Sequence, residues 1–387
     1  MKILHVFYGR DIAGGASYSM ASLVEGLADR GVEVHVLLPR TKRRVMARRL
    51  DAAGVICHEL TVPWQVFDAN ESTTLTRLKN WAKALWSLAA TPVAEFAVLR
   101  LVRKHQIDLI HIGGAVVGTG AVVARIRQIP LIWHVREFVE EGHGLRYFPW
   151  FDFYKKTPRA TAVLCVSESL ANKMRQYLDG DRIHVVPNGL DRAPSRRMSG
   201  DGQPLRLMFA AGLNRSKGAF LLLQALSQLP PDCDVALDIY GRANADQLAE
   251  FSKEQRRLGL ANRVFYRGYV DTMGELYARH DALVVASTRE GFGRATAEAM
   301  LSECLVIGSD AGGTQELLGS GRGVLFPPGD IDALRDALTS VCRNYSHFNM
   351  VRAQALEFAT AELSVDRYVD RVLDVYTEAL RGHGAST

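Results

Sequence analysis

Two tandem α/β domains, each a parallel sheet wrapped by helices, are what this sequence predicts, and three observations predict it. The chain has 387 residues, more than one ordinary core accommodates. Short, uninterrupted apolar runs alternate with amphipathic stretches, the mark of strands buried on both faces and joined by helices. The alternation stops once, in a stretch rich in Pro, Gly and Ser over 190–204, and then restarts.

Taken in order, 3–7 reads as the first strand and 17–30 as an amphipathic helix, with strands at 32–38, 109–112, 131–135, 163–166 and 183–186. Residues 75–104 are helical and rich in Leu and Ala; this helix reads as packing, with Trp81 and Trp86 able to touch a membrane if exposed. After the break, strands are expected at 207–211, 235–240, 264–266, 283–286 and 306–309. The boundaries are therefore 1–190 for the first domain, 191–204 for a linker and 205–364 for the second domain. A last helix in 365–387 is expected to return to the first domain. Two such Rossmann-like sheets are expected to face each other across a cleft, because open α/β sheets bind ligands beyond the carboxyl ends of their strands.

Composition narrows the classes. A hydrophobic share of 48% with 23% charged residues is that of a globular chain rather than a disordered one. Five cysteines, at 57, 165, 233, 304 and 342, form no C-x-x-C pair, so neither a disulfide framework nor a structural zinc site is expected. No signal-peptide core is legible, and every apolar run looks too interrupted to cross a membrane, so a cytoplasmic protein is expected. The net charge of +5 gathers partly in Arg40, Lys42, Arg43, Arg44, Arg48 and Arg49. That segment reads either as a solvated basic face or as a patch for anionic lipid or an anionic acceptor. Nucleic acid is not expected, because no aromatic-interleaved basic stripe accompanies the charge. Two acid pairs, Asp179 with Asp181 and Asp232 with Asp234, sit in polar turns and read as turn chemistry rather than metal ligands.

Two loops carry the chemistry. Gly212-Leu-Asn-Arg-Ser-Lys-Gly218 leads from a strand into a helix. It offers Arg215, Lys217 and free backbone N–H groups, which suits a diphosphate, although basic residues at a helix start are also a routine surface feature. Glu290-Gly-Phe-Gly-Arg-Ala-Thr-Ala-Glu298 sets two carboxylates either side of a Gly-x-Gly turn that opens a helix. Gly291 and Gly293, flanking Phe292, allow close backbone approach, and the helix start at Arg294 and Ala295 offers N–H donors to phosphate oxygens. Glu298 is placed to accept hydrogen bonds from vicinal hydroxyls, and Glu290 to reach a sugar hydroxyl. The alternatives are a helix-surface charge and a capping acid.

This E-x7-E pair, followed by Ala299 and Met300, resembles the signature of the GT-B glycosyltransferases of family GT4, the large retaining group. The likeness runs along the chain through Ala13-Gly-Gly-Ala-Ser17, residues 27–36, Trp133-His-Val-Arg-Glu-Phe138, Val186-Pro-Asn-Gly-Leu-Asp191, Gly308-Ser-Asp-Ala-Gly-Gly-Thr-Gln-Glu316 and Gly323-Val-Leu-Phe-Pro327. It departs at Ala211-Gly212-Leu213, where the family often has Gly-Arg-Leu, so the usual phosphate arginine is missing and Arg215 is its candidate replacement. It departs again at 301–305, where the family commonly has a Gly.

The resemblance implies a retaining transferase that takes a UDP- or GDP-linked sugar and passes it to an acceptor hydroxyl in polysaccharide or glycolipid synthesis. Lys217, Arg215 and the helix start would hold the diphosphate, so no metal or other cofactor is expected. Glu298 would bind the ribose, Glu290 the transferred sugar, and the backbone at Gly268, Tyr269 and Val270 the base. His134, with Gly14, Gly15 and Asn188, would contact donor sugar or acceptor. A lipid-linked glycan at the inner face of a membrane is the expected acceptor, against a soluble one. The competing readings are a non-catalytic nucleotide-sugar binder and a dinucleotide-dependent oxidoreductase. The latter lacks G-x-G-x-x-G after the first strand, and the glycines of 113–120 have the wrong spacing, reading instead as close helix–sheet packing.

Overall fold

The computed structural model describes residues 1–9, 15–41, 44–69, 74–191 and 204–384. The expected linker falls almost wholly outside these residues, as do Gly14, Lys42 and Arg43. The chain forms two compact units, one of residues 1–189 with 365–387, the other of residues 190–364.

In the first unit, β1 (Lys2–Val6), β2 (Glu33–Pro39), β3 (Ile56–Leu60), β5 (Leu109–Ile112), β6 (Leu131–Val135), β8 (Ala162–Cys165) and β9 (Ile183–Val185) form a seven-stranded sheet, while β4 (Val66–Asp68) pairs with β7 (Leu145–Tyr147). The sheet is parallel and ordered β3-β2-β1-β5-β6-β8-β9; β4 and β7 form an antiparallel ribbon. Its central strands are mostly apolar because both faces are covered, as Ile3, Leu4, Val6, Leu109 and Ile110 show by complete burial, and the histidines they carry, His5, His111 and His134, are buried as well. The glycines of 113–120 do what close packing requires. A Cβ at Gly113 would meet Met20 Sδ at 2.4 Å, and one at Gly118 would meet the Phe151 ring at 2.2 Å. The C-terminal helix, Val365–Gly384, packs on the helix Gly15–Asp29: a Cβ at Gly26 would stand 2.6 Å from Val369, and Arg30 bonds Asp366 and Asp370 at 2.9 and 3.0 Å.

The second unit repeats the plan with six parallel strands: β10 (Leu205–Ala210), β11 (Val235–Tyr240), β12 (Val264–Gly268), β13 (Ala282–Val285), β14 (Leu305–Ser309) and β15 (Val324–Phe326), ordered β12-β11-β10-β13-β14-β15. Leu207, Phe209, Leu222, Leu223, Ile307 and Leu334 anchor its core.

One sequence expectation is corrected. Among the described residues one helical segment, Arg77–His105, is long and apolar enough to cross a membrane. It belongs to the helix Thr74–His105, whose Ala84, Ser87, Ala94, Glu95, Val98 and Val102 are buried in the unit, while Leu78, Trp81, Leu85, Val93 and Phe96 are more than half exposed. All five cysteines are free. The basic segment is partly neutralised, Arg44 by Glu59 and Arg49 by Glu25. Asp179 pairs with Arg182 and Asp232 with Arg343, as turn and surface acids do.

Candidate active site

β10 and β13 are neighbours at the point where the strand order of the second sheet reverses, the place where an open α/β sheet takes a ligand. The loop after β10 is shaped by Asn214, whose Oδ1 accepts from the Lys217 amide at 2.9 Å and closes a short turn over Arg215–Lys217. Gly218 follows in the left-handed region, with φ at +82°, and a Cβ there would lie 2.2 Å from the Ala286 carbonyl oxygen. Only glycine lets the helix Ala219–Ser227 start this close to the end of β13. The consequence is chemical. Lys217 Nζ donates to Glu290 Oε1 at 2.6 Å across 73 residues, and Ser287 Oγ donates to the same oxygen at 2.7 Å. Both side chains of the ion pair stay about a quarter exposed, so a ligand can reach them.

The loop after β13 is pinned in turn by the loop after β14. Gly313 N donates to the Glu290 carbonyl at 3.0 Å, and Cβ atoms at Gly312 and Gly313 would each meet carbonyl oxygens, of Glu290 and Phe292, at 2.3 Å. Phe292 is buried, and Gly293, with φ at +87°, caps the helix Arg294–Leu301. The first-turn N–H groups around Arg294 and Ala295 have no carbonyl four residues back within the helix, the usual complement for an anion. Glu298 lies one turn in. Arg294 Nε donates to its Oε1 at 2.6 Å and Tyr277 to its Oε2 at 3.0 Å. Burial, then the Glu298 charge, pushes the Tyr277 hydroxyl well above its ordinary pKa, so it remains a donor. Thr296 and Thr314 hydroxyls, both buried, lie within 3.4 and 3.5 Å of where a Gly293 Cβ would stand, and neither has a hydrogen-bond partner among the described residues.

At the end of β12, Gly268 takes φ +81° and its carbonyl accepts from Gly241 N at 3.0 Å. Tyr269 is exposed with the Arg242 guanidinium 4.3 Å over its ring, and Val270 is half-buried beside it. Arg215 goes elsewhere than expected. It pairs with Glu250 and lies 5.0 Å over the Phe220 ring, so it does not stand in for the missing phosphate arginine in this arrangement.

In the first unit the sequence candidates meet a different environment. His134, expected to touch a ligand, is wholly buried with Arg136 Nη2 3.1 Å from its Nδ1. Burial, then the Arg136 charge, holds it neutral, with a pKa well below the ordinary histidine value. Arg136 Nη1 donates to Asn188 Oδ1 at 2.6 Å, its Nη2 to the Tyr368 hydroxyl at 2.7 Å, and its Nε to the Gly113 carbonyl at 3.2 Å. So His134 and Asn188 secure a buried guanidinium rather than presenting ring or amide to solvent. Gly15 opens the first helix, and Gly14 lies outside the described residues. Arg136, Tyr277, Ser287, Asn214 and the two threonines carry no signal in the sequence that marks them as partners of the site. Each meets a residue distant in sequence or stands in a motif without a spacing rule of its own, so only the fold reveals them.

With this geometry in hand, the comparisons are consistent. The family model described as Glycosyltransferase Family 4 matches residues 13–193, and that described as Glycosyl transferases group 1 matches residues 204–344. The chain is similar to a phosphatidyl-myo-inositol mannosyltransferase of Mycobacterium leprae, 25% identical over 87% of this chain and 86% of the relative. It is similar to an N-acetyl-alpha-D-glucosaminyl L-malate synthase of Bacillus anthracis, 24% identical over 95% of each chain. Among solved structures, Anabaena HepE in complex with UDP superposes with a TM-score of 0.78 at 23% identity, covering 98% of this chain and all of that one. The last is a likeness of fold, that of the GT-B enzymes.

Proposed function

We infer that this chain, which belongs to the family 4 (group 1) glycosyltransferases, takes its sugar from a nucleoside diphosphate, UDP or GDP, and passes it with retention to a lipid-linked glycan. The observation that carries the reading is the Lys217–Glu290 pair at the reversal point of the second sheet, with Glu298 one turn inside the helix that starts at Arg294. Lys217 and the N–H groups at Arg294 and Ala295 supply positive potential for a diphosphate, in its bound form and as it leaves. Because that charge comes from the protein, the scheme needs no metal. Glu298, each oxygen holding one donor, keeps lone pairs for ribose hydroxyls. Glu290, fixed by Lys217 and Ser287, orients a hydroxyl of the transferred sugar. The backbone at Gly268, Tyr269 and Val270 lies at the end of β12, where a base can be edged. The acceptor then attacks from the face the diphosphate leaves, a phosphate oxygen taking its proton, so no protein nucleophile is required.

The acceptor assignment rests on the helix Thr74–His105. Leu78, Trp81, Leu85, Leu88 and Phe96 form an exposed apolar stripe at helical spacing, and the helix carries Arg77, Lys79, Lys83, Arg100, Arg103 and Lys104 with Glu95, its one acid, buried. A helix with that composition and a buried opposite side suits the interface of an anionic membrane rather than a span through it. Thermal unfolding with UDP, GDP, ADP and their common sugars tests the donor site. One nucleoside diphosphate should raise Tm by an amount that grows with its concentration, and Lys217→Ala should abolish the rise. No stabilisation by any nucleotide would remove the donor assignment.

A further inference from the structure

On the edge of the first sheet, at the end of the helix Thr74–His105, three histidines converge. His35 lies on β2, His58 on β3 and His105 at the end of the helix Thr74–His105, and one ring nitrogen of each falls within 4.8 Å of the others. His35 Nδ1 and His58 Nε2 are 2.9 Å apart with their rings almost parallel, at 2°; the His105 ring lies 4.5 Å from His35 and 5.3 Å from His58. The other nitrogen of His35, Nε2, donates to Glu33 Oε1 at 3.0 Å, which leaves Nδ1 as a lone pair directed at His58.

We propose that His35 Nδ1, His58 and His105 bind a divalent transition metal of the zinc class, with Glu33 as the outer carboxylate that orients His35 and water in the fourth position. Imidazole is the ligand type that suits zinc, nickel and copper, and magnesium and calcium take oxygen sets instead. Two nitrogens on a tetrahedral zinc stand about 3.3 Å apart, so His35 and His58 must separate by a few tenths of an ångström and tilt until both lone pairs meet at one ion. His58 exchanges its Nε2–H for the Nδ1–H tautomer, and no proton leaves. The carboxylate–histidine arrangement at Glu33 is the one that fixes the ring of a metal ligand. Lys2 and Lys104 are the cations nearby; Lys2 is already 3.4 Å from Glu33, and partly hydrated ammonium groups weigh little against direct coordination. Such a metal would tie the edge strand β3 to β2 and to the end of a helix.

Tag-free full-length protein, stripped with a chelator and dialysed, is titrated with Zn2+ by calorimetry and with Co2+ by visible absorption. The expected result is one Zn2+ per chain at micromolar or tighter affinity, four-coordinate Co2+ bands that Zn2+ bleaches, and a Tm raised by Zn2+ but not Mg2+. His105→Ala, at a helix end, and His58→Ala should each weaken Zn2+ at least tenfold, and Glu33→Gln by about ten- to a hundredfold. His105→Ala carries the test alone if His58→Ala does not fold. Absence of Zn2+ binding below millimolar concentration, or binding unchanged in a folded His105→Ala protein, overturns the proposal. Glycosyl transfer and nucleotide stabilisation are expected to survive chelation, so this outcome and that of the donor site stay separate.

Discussion

At the residue scale, Glu290 is the side chain on which the donor site turns. It is anchored twice on one oxygen, by Lys217 and Ser287, which leaves Oε2 for a sugar hydroxyl. Glu290→Gln removes the charge but keeps an amide oxygen for the Ser287 hydroxyl. Nucleoside-diphosphate stabilisation should therefore change little, while the transfer rate falls by about 10²–10³, the scale on which single oriented polar groups act on a transition state. A rate within threefold of wild type, from initial-rate assays at saturating donor, would take Glu290 out of the reaction. The carboxylates themselves were legible because a fixed spacing around a Gly-x-Gly turn is a local signal. Their partners were not. Ser287 and Tyr277 bear no motif relation to them, and Arg215 met Glu250, an acid 35 residues on that no local pattern links to it.

At the element scale, the buried central strands were legible to within a residue or two, because strands covered on both faces are written as apolar runs. What escaped was exposed or short. β3 is only half-buried along its length and β4, β7 and β15 have three residues each; β3, β4 and β7 are interrupted by polar residues, and β15, though apolar, is too short to stand out. The helix Thr74–His105 was legible as a helix, but which of its faces is buried was not, since Leu, Ala and Trp occur all round it. That face matters to the acceptor. The protein should sediment with vesicles containing anionic phospholipid at low ionic strength and be released as salt screens its lysines and arginines. Trp81→Ser with Phe96→Ser, both more than half exposed, should reduce binding at least tenfold and leave Tm within a few degrees. Equal binding by this double variant would deny the helix a membrane role.

At the scale of the whole molecule, the doubly wound plan of both halves followed from periodicity, whereas the polar interior of the first unit did not. His5, His111 and His134 are fully buried around Arg136, Tyr368 and Tyr376, and Glu95 is buried where it accepts from the amides of Gly120 and Val123. These groups make stability depend on pH in opposite directions. Burial, then the Arg136 charge, lowers His5 to about 3; burial, then neighbouring charges, holds His111 and His134 well below 6.5. A depressed folded pKa gives stability that is present above the unfolded value and lost as pH falls from 6.5. Between pH 7.5 and 5.5 each such histidine forfeits on the order of 1 kcal/mol, and His58, lowered to about 4 by burial and by His35 and His105, loses stability in the same direction. Glu95 is raised by burial to about 7, which gives stability that is full below 4.5 and lost as pH rises through 7. Over the same window of falling pH it returns about 2 kcal/mol. The histidines win. Denaturant unfolding should show the wild-type first unit less stable at pH 5.5 than at 7.5, and Glu95→Gln should widen the gap by about 2 kcal/mol. A stability that rises on acidification would mean that the histidines are protonated in the folded chain, and the buried Arg136 network would then need a different charge state.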